Sequence, residues 1–412
     1  MTALAAVPSD DGVDSTYAWT RLAVSCVITT IGGVGLWSVV VVLPTVETAF
    51  GVARAGASLP YTTLMIGFAV GGILMGRLAD RRGITVPLAL GAVALGLGYI
   101  LAAMATSLWQ FMLVHGVFIG LLGSSATFGP MIADVSRWFL RHRGMAVSIV
   151  ACGSYFAGAL WPPVIQYFVD GWGWRATHVG IGVFCLVTIL PLSLLLRRPS
   201  PDTGSANAAR GLRDPRASGL SPRALQGLLI VAGLSCCLAM AMPQVHIVAL
   251  CTELGYGAAA GVQMLSLMLA AGIVSRLAFG VLADRIGPLP TLLISSGLQM
   301  LSLLLFLPFD GLAPLYLVSA LFGLAQGGIV PTYAMVVRAY FPAAEAGARI
   351  GLVISATLVG MAIGGWMSGA IFDMYFSYGP AFVNGALWNL LNVMIALYLL
   401  WRLRAGRVAA TA

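Results

Sequence analysis

The sequence predicts an all-α membrane protein in which twelve transmembrane helices form two pseudo-symmetric six-helix bundles. Three observations support this fold class. Of the 412 residues, 59% are apolar and only 9% are charged, whereas about a quarter of the residues in a soluble domain carry charge. The apolar residues fall into twelve stretches separated by polar segments. One octapeptide of the first half returns at the matching place in the second half.

The composition also excludes several other classes. The mean hydropathy is +0.95, and a soluble fold of this size could not bury the apolar surface that this value implies. The composition therefore excludes a disordered chain and a cytosolic enzyme. Six cysteines in apolar surroundings have no metal-ligand spacing, so we expect free, buried thiols and neither a disulfide scaffold nor a metal site. They are Cys26, Cys152, Cys185, Cys236, Cys237 and Cys251.

Each apolar stretch is close to the ~20 residues that a helix needs to cross a bilayer core. Because the hydrocarbon offers no water, the backbone must bond within each stretch, and an α-helix achieves this. The predicted spans are 22–44, 58–79, 86–106, 109–133, 145–168, 175–196, 224–250, 257–282, 289–307, 313–337, 349–371 and 380–401.

The polar segments divide the chain. Residues 197–223 are rich in proline, glycine, serine and arginine, which is typical of a flexible linker. We therefore predict a tail over 1–21, a bundle over 22–196, the linker over 197–223, a second bundle over 224–401 and a tail over 402–412. No basic segment precedes the first span, so we expect no removable signal peptide.

The arginines predict the orientation. All 22 basic residues are arginine, and with both termini inside, nineteen fall in inner segments while only Arg54 and Arg175 fall in outer loops. Basic loops stay in the cytoplasm. We therefore predict a multi-pass protein of the cell (inner) membrane with both termini cytoplasmic, and no nucleic-acid partner.

The repeated octapeptide relates the two halves. Residues 76–83 read GRLADRRG, and residues 280–287, which lie 204 positions later, read GVLADRIG. Six of the eight positions are identical, and both copies follow the second span of their half. The two halves are therefore expected to be parallel repeats about an axis along the membrane normal.

These octapeptides resemble the loop signature of the major facilitator superfamily. A second stretch resembles the monocarboxylate-porter and oxalate–formate-exchanger branch of that superfamily. It includes RWFLRHRGMA at 137–146, preceded by Gly120, Gly129 and Pro130 and followed by Gly153, Gly158 and Pro162. A third match is Arg276, eight residues before Asp284, where carboxylate porters carry an arginine.

The resemblance implies a function. It implies a monomeric secondary transporter that moves a small organic anion, a monocarboxylate, by alternating access together with a proton or in exchange for another anion. Such a protein needs the lipid bilayer, is not an enzyme and holds no cofactor. No P-loop is present, so ATP does not drive it. The alternative is an exporter of lipophilic or other uncharged small molecules on the same fold.

Arg276 is the principal candidate for binding the anion. A cation at this depth costs ~3 kcal/mol or more, and a guanidinium matches a carboxylate with two parallel hydrogen bonds. Its counterpart in the first half is Gly72, so the fold does not require a cation there. The alternative is a structural arginine that reaches the cytoplasmic face or caps neighbouring carbonyls.

Further side chains are candidates for the substrate site. His246 follows Pro243 in the seventh span and could bind the carboxylate or a proton, although its place in the outer part of the helix also suits a ring in headgroup water. Carboxylate porters commonly carry an acid where this chain has Gly272, so a proton would travel on the substrate or on His246. The resemblance also places a second cation of the oxalate exchangers within 351–364, and none is present there, which favours a monoanion. The other candidates, each of which could instead be a packing residue, are Tyr61, Phe128, Tyr155, Gln326 and Tyr333.

Charged residues at the cytoplasmic helix ends are candidates for gating. We expect Asp80 and Asp284 to accept from backbone N–H groups at a neighbouring helix start, and Asp134 to pair with Arg137 or Arg143. The arginines of the two octapeptide loops would pair across a closed inner gate, unless they only fix loop shape. They are Arg77, Arg81 and Arg285.

Overall fold

The computed structural model describes residues 12–199 and 220–411. The first eleven residues of the predicted tail 1–21 and residues 200–219 of the predicted linker lie outside the described residues, as does residue 412 of the second tail. Throughout the described ranges the regular secondary structure is helical. The assignment of the bundle boundaries stays a prediction.

The first-half helices run in chain order from the N-terminus to residue 194. They are α1 (Thr16–Gly32), α2 (Val34–Val41), α3 (Leu43–Phe50), α4 (Arg54–Arg82), α5 (Thr85–Met104), α6 (Leu108–Val114), a π-helix (His115–Gly123), a 3-10 turn (Ser124–Thr127), α7 (Gly129–Trp138) and α8 (Arg143–Leu194).

The second-half helices begin after the linker. They are α9 (Pro222–Glu253), α10 (Gly257–Ile286), α11 (Pro288–Leu305), α12 (Leu312–Gln326), α13 (Ile329–Tyr340), α14 (Ala343–Tyr375) and α15 (Gly379–Thr411). Helix α15 thus continues through the predicted C-terminal tail.

Eleven helical segments in the described residues are long and apolar enough to cross a membrane. One of them, α8, has 52 residues, about 78 Å at ~1.5 Å per residue and far more than one bilayer core of ~30 Å. It is interrupted at Gly173, where φ is 78° and ψ is 161°. Residues with a Cβ rarely adopt this φ, so a glycine is needed where the chain reverses direction between two spans. The predicted fold class is confirmed.

The fourth span of each half is broken at matching positions. In the first half, α6 passes through the π-helix, which ends at Gly123, and a 3-10 turn before α7 begins. In the second half, α12 and α13 are separated by Gly327 and Gly328, and Gly327 lies 204 residues after Gly123. Such paired interruptions release backbone carbonyls inside the membrane, and in transporters they mark the substrate site.

The halves meet along two helix pairs. Helix α4 packs against α14, and α8 packs against α10. A shift of 204 residues takes α4 to α10 and the start of α8 to α14. The α4–α14 contact and the α8–α10 contact are therefore equivalent under the internal repeat. The loops 51–53 and 376–378 lie at the face opposite the termini, which is called the outer face below.

Candidate functional site between the halves

Arg276 lies on α10 at the contact with α8. Its Nη1 donates to the carbonyl oxygen of Ala151 at 2.7 Å, and its Nε donates to the carbonyl oxygen of Gly327 at 3.3 Å. The guanidinium carbon stands 4.3 Å from the ring centroid of Tyr155. Arg276 thus bridges the two halves and caps the carbonyl that the break before α13 releases.

Arg276 still has donors to offer. Within the described residues its guanidinium forms no ion pair with a carboxylate, and its polar partners are the two carbonyls and the side chain of Tyr155. Two carbonyl contacts and an aromatic ring hold the side chain in place while leaving its charge uncompensated. Such an arrangement is suited to accept an anion at the contact between the halves.

A polar chain runs from Arg276 through Tyr155 of the first half to Gln326 and Gln244 of the second half. The Tyr155 hydroxyl donates to Oε1 of Gln326 at 3.4 Å, and Nε2 of Gln244 donates to the same oxygen at 2.9 Å. Gln326 is fully buried, and its Nε2 has no partner. A buried amide with free donors costs ~1–3 kcal/mol, so this group is a second point at which an oxygen acceptor could bind.

The geometry explains the missing acid at Gly272. A Cβ at this position would lie 2.3 Å from Cε1 of Tyr155, far inside van der Waals contact. The tyrosine ring therefore occupies the space that an acidic side chain would need in this conformation. Tyr155 takes the place beside Arg276, and its ring face supports the cation.

His246 belongs to a different cluster. Its Nε2 donates to the carbonyl oxygen of Gly365 at 2.7 Å, which leaves Nδ1 as acceptor for the Tyr378 hydroxyl at 3.1 Å. The imidazole is fully buried, so it does not stand in headgroup water. Its partners belong to the outer cluster described below and not to the Arg276 chain.

The other aromatic candidates are dispersed. Tyr333 donates to Oδ1 of Asn392 at 2.6 Å inside the second half. Tyr61 is buried against the Gly365 segment where α4 meets α14. Phe128 packs on Phe68 with ring centroids 6.0 Å apart. Of the predicted substrate residues, the structure brings Arg276, Tyr155 and Gln326 together. Tyr333, Tyr61, Phe128 and His246 lie apart from that group.

An ion cluster around the buried Arg54 closes the outer face. Arg54 begins α4 and is 5% exposed. Its Nη2 pairs with Glu253 at 2.8 Å, its Nη1 donates to the Tyr378 hydroxyl at 2.7 Å, and its Nε lies 2.7 Å from Glu47 as an ion pair. Glu253 and Tyr378 belong to the second half, so this arginine joins the two halves.

Asp373 adds a second link at the same face. Its Oδ1 accepts from the backbone N–H of Arg54 at 2.9 Å and its Oδ2 accepts from that of Ala55 at 2.8 Å. A residue at the end of α14 thus caps the start of α4, and its negative charge faces the positive end of that helix. The outer gate is closed in this structure.

Charged groups at the inner face pair differently from the expectation. Asp134 accepts from Nε and Nη2 of Arg21 at 2.8 and 2.9 Å, so its predicted pairing with Arg137 or Arg143 is wrong. Arg137 instead pairs with Asp80 at 2.6 Å, where a backbone donor was expected. Asp134 points toward α1 because buried Arg21 has no other carboxylate among the described residues.

The remaining gating candidates face solvent. Arg77, Arg81, Asp284 and Arg285 are exposed, and within the described ranges none of them forms an ion pair. The paired inner gate is therefore not formed in this conformation. A cavity of about 790 Å³ opens beside these loops in the first half, with Asp80 and Asp134 in its lining.

Sequence reasoning missed Gln244 and the Arg54 cluster. Gln244 is the residue after Pro243 in a highly apolar span, and a polar side chain beside a helix-bending proline is a usable signal. Arg54 was counted only as an outer-loop charge. Its partners lie 199 and 324 positions away, so local spacing carries no trace of them.

Comparison with known proteins agrees with this architecture. A family model described as the Major Facilitator Superfamily matches residues 25–317 and 264–412. Monocarboxylate transporter 13 of Rattus norvegicus is 26% identical over 336 residues, which cover 79% of this chain and 75% of that protein. The MFS-type transporter pynF of Aspergillus niger is 26% identical over 307 residues, which cover 73% and 69%.

A solved structure shares the fold. The structure of a bacterial homolog to the human lysosomal transporter Spinster, in inward-facing and unoccupied conformation, aligns with a TM-score of 0.68. It is 16% identical in sequence and covers 95% of this chain and 98% of that one.

Two helical halves that meet at Arg276, built from helices long and apolar enough to cross a membrane, have the architecture of a multi-pass membrane transporter. The chain belongs to the major facilitator superfamily. Its resemblance to monocarboxylate porters is confirmed, because monocarboxylate transporters 11 and 13 are among its relatives. This superfamily is a group of transporters and not a class of enzymes.

Proposed function

We propose that this protein is a secondary active transporter that moves a small monocarboxylate across the cell membrane together with a proton. Both termini would lie in the cytoplasm, in line with the arginine distribution. Alternating access between the two halves would expose Arg276 first to one side and then to the other.

The observation that carries the proposal is the uncompensated charge of Arg276 at the contact between the halves. Its bonds to Ala151 and Gly327 fix the guanidinium at the contact between the halves, and its remaining N–H groups would bind a carboxylate oxygen. Because the anion would touch a residue that bonds both halves, its arrival and departure would act directly on the contact that changes during transport.

Charge counting supports a monoanion. Within the described residues, Arg276 is the one arginine that the structure positions at the Tyr155–Gln326 chain. A second carboxylate on the substrate would find amide donors there but no second cation, and an unpaired buried charge is expensive. Gln326 Nε2 would instead receive a neutral oxygen of the substrate.

The proton is proposed to travel with the substrate. Tyr155 fills the place where related porters carry an acid beside the arginine, and His246 bonds into the outer cluster. The substrate would bind Arg276 as the carboxylate, and a proton taken up on its own oxygen would neutralise it without a side-chain carrier. The monocarboxylate transporters among the relatives support this substrate class by analogy.

One observation favours the alternative, an exporter of lipophilic or uncharged compounds. Two carbonyls and an aromatic ring already hold Arg276, so the arginine could be structural. Arg175 offers a matched comparison. It donates to the carbonyls of Ala103 and Ala105 at 3.1 and 2.9 Å and lies 4.3 Å from the Trp174 ring centroid, at the outer face and away from the contact between the halves.

A thermal-shift screen of the purified protein in detergent tests the proposal. The panel contains lactate, pyruvate, acetate, benzoate and the dianion oxalate, beside lipophilic cations and sugars, at pH 5.5 and 7.5. A ligand that binds the native state raises the unfolding temperature by mass action. The variants are Arg276→Ala, Arg276→Lys and the matched control Arg175→Gln.

We expect one or two monocarboxylates to stabilise the wild-type protein and Arg175→Gln but neither Arg276 variant. Transport of the same acid into proteoliposomes should be abolished in both Arg276 variants while they remain folded. Stabilisation by uncharged or cationic compounds alone, unaffected by Arg276→Ala, would favour the exporter and leave Arg276 a structural residue.

A further inference from the structure

Glu47 stands at the outer closure, where two like charges from the other half, Glu253 and Asp373, raise its proton affinity. It lies on α3, which follows the first span, and its side chain is 26% exposed. Water at the outer face can therefore reach the carboxylate. Arg54, Glu253 and Asp373 surround it, and the last two come from the second half.

The charges in this cluster do not balance. Glu47 and Glu253 pair with the single guanidinium of Arg54. Asp373 binds the backbone N–H groups of Arg54 and Ala55, where the start of α4 offers only a partial positive charge of ~0.5. Tyr378 and His246 complete the surroundings. Closure thus brings excess negative charge together in a partly buried place, where repulsion is strong.

We propose that Glu47 binds a proton from the outer solution when the outer gate closes, so that external acid favours the closed outer gate. The proposal rests on the alternating-access part of the proposed function, and it is independent of which substrate is carried. It gives the protein a proton-binding group on the gate, in addition to any proton that crosses with the substrate.

The direction of the pH effect depends on which charged groups stay beside Glu47 when the gate opens. Arg54 lies seven residues from Glu47 in the same half and stays beside it. Glu253 and Asp373 leave with the second half, and water enters. Burial raises the pKa of the Glu47 carboxyl in the closed form, and Asp373 and Glu253 raise it further, against the lowering effect of Arg54. Opening removes the raising causes and keeps the lowering one.

Proton affinity is therefore higher in the closed form, and protons stabilise the form that binds them more tightly. For one proton, the ratio of closed to open protein rises at most about tenfold for each unit by which pH falls, because one pKa unit corresponds to a tenfold change in an equilibrium constant. A neutral side chain at position 47, as in Glu47→Gln, is not repelled by Glu253 and Asp373, so the gate should stay closed at every pH.

Hydrogen–deuterium exchange of the full-length protein in lipid nanodiscs, without any substrate, measures gate opening. The informative peptides cover residues 42–58 and 366–380, on the two sides of the closure. Rates at pH 4.5, 5.5, 6.5 and 7.5, a range that starts at the ordinary pKa of a glutamate carboxyl, are corrected for the intrinsic pH dependence of exchange. The variants are Glu47→Gln, Glu47→Asp and the control Glu345→Gln, whose carboxylate is exposed at the inner face and pairs with Arg349.

In the wild type and Glu345→Gln, corrected exchange of both peptides should slow as pH falls, by up to about tenfold per unit. Glu47→Gln should exchange slowly at pH 7.5 already and lose the pH dependence, while Glu47→Asp should keep it. A pH-independent wild type, or a Glu47→Gln protein that retains the full dependence, would overturn the proposal. So would a folded Glu47→Asp protein without the dependence, because packing and not protonation would then be responsible. If Glu47→Gln does not fold, the wild type and Glu47→Asp decide.

Failure here is distinguishable from failure of the proposed function. No carboxylate is present in the exchange experiment, and the Arg276 variants are not used. A protein whose gate responds to acid but which binds no monocarboxylate would retain the Glu47 assignment and lose the substrate class.

Discussion

Removing the Asp373 carboxylate should loosen the outer gate. This side chain accepts two backbone hydrogen bonds at the start of α4, from Arg54 at 2.9 Å and Ala55 at 2.8 Å. It lies in the other half of the protein, so the bonds exist only while the outer face is closed. Asp373→Ala deletes both acceptors and the charge that faces the positive end of the helix.

The magnitude follows from the two contributions. Loss of a helix cap costs ~0.5–2 kcal/mol, and loss of a negative charge at a helix start costs a further ~0.3–1 kcal/mol. Together they give ~1–3 kcal/mol, which corresponds to roughly 5–150-fold in an equilibrium between closed and open forms. Arg54 keeps its contacts with Glu253 and Tyr378, so the gate weakens without losing every link.

Hydrogen exchange of residues 50–60 at constant pH reads this equilibrium directly. When closing is fast, the exchange rate is proportional to the open fraction, so Asp373→Ala should exchange about 5–150-fold faster than the wild type. Glu345→Ala removes a comparable carboxylate from the start of α14 at the inner face and should leave this peptide unchanged. Equal exchange in Asp373→Ala and wild type would refute the view that Asp373 holds the halves together.

Two further expectations concern the inner face. Asp134→Ala leaves the guanidinium of Arg21, which is 2% exposed, without its carboxylate, and thermal unfolding in detergent should show a loss of ~3–5 kcal/mol in stability. Asp80→Ala removes an exposed carboxylate and should cost only ~0–1 kcal/mol. Equal losses of stability in the two variants would contradict the buried pairing. Although burial raises the pKa of Asp14, backbone N–H donors at Arg141 and Leu140 outweigh it and lower the pKa below its usual 3.8. The carboxylate should therefore hold the 138–146 loop from neutral pH down past 3.8 and release it only as pH falls through the lowered value; Asp14→Asn should raise exchange in that loop at pH 7, and an unchanged rate would exclude the anchor.

The fold could be predicted because membrane helices obey a constraint that acts locally. Each stretch of about twenty apolar residues must satisfy its own backbone, so the sequence alone locates the spans. The interruptions at Gly123 and Gly327 were not predicted, although their spacing of 204 residues equals that of the octapeptides. Hydropathy averages over many residues and is insensitive to a change from α to π geometry.

The site could be predicted only in part, since its contacts join distant residues. Arg276 was recognised because a deep cation is costly, and Gln326 because it is polar in an apolar span. The pairing of Asp134 was wrong because neighbours at i+3 compete with Arg21, which is 113 positions away. His246 was predicted to bind the carboxylate or a proton, but its partners, Gly365 and Tyr378, belong to α14 and the loop that follows it and are not visible in the local sequence.

The most direct test of the central claim is the affinity of the purified protein for the carboxylate that stabilises it best, measured by isothermal titration calorimetry. We expect saturable binding by the wild type and by Arg175→Gln. Arg276→Gln should lose at least about tenfold in affinity, since a charge-assisted hydrogen bond contributes ~1.5–3 kcal/mol. Equal affinities in all three proteins would contradict an anion site at Arg276.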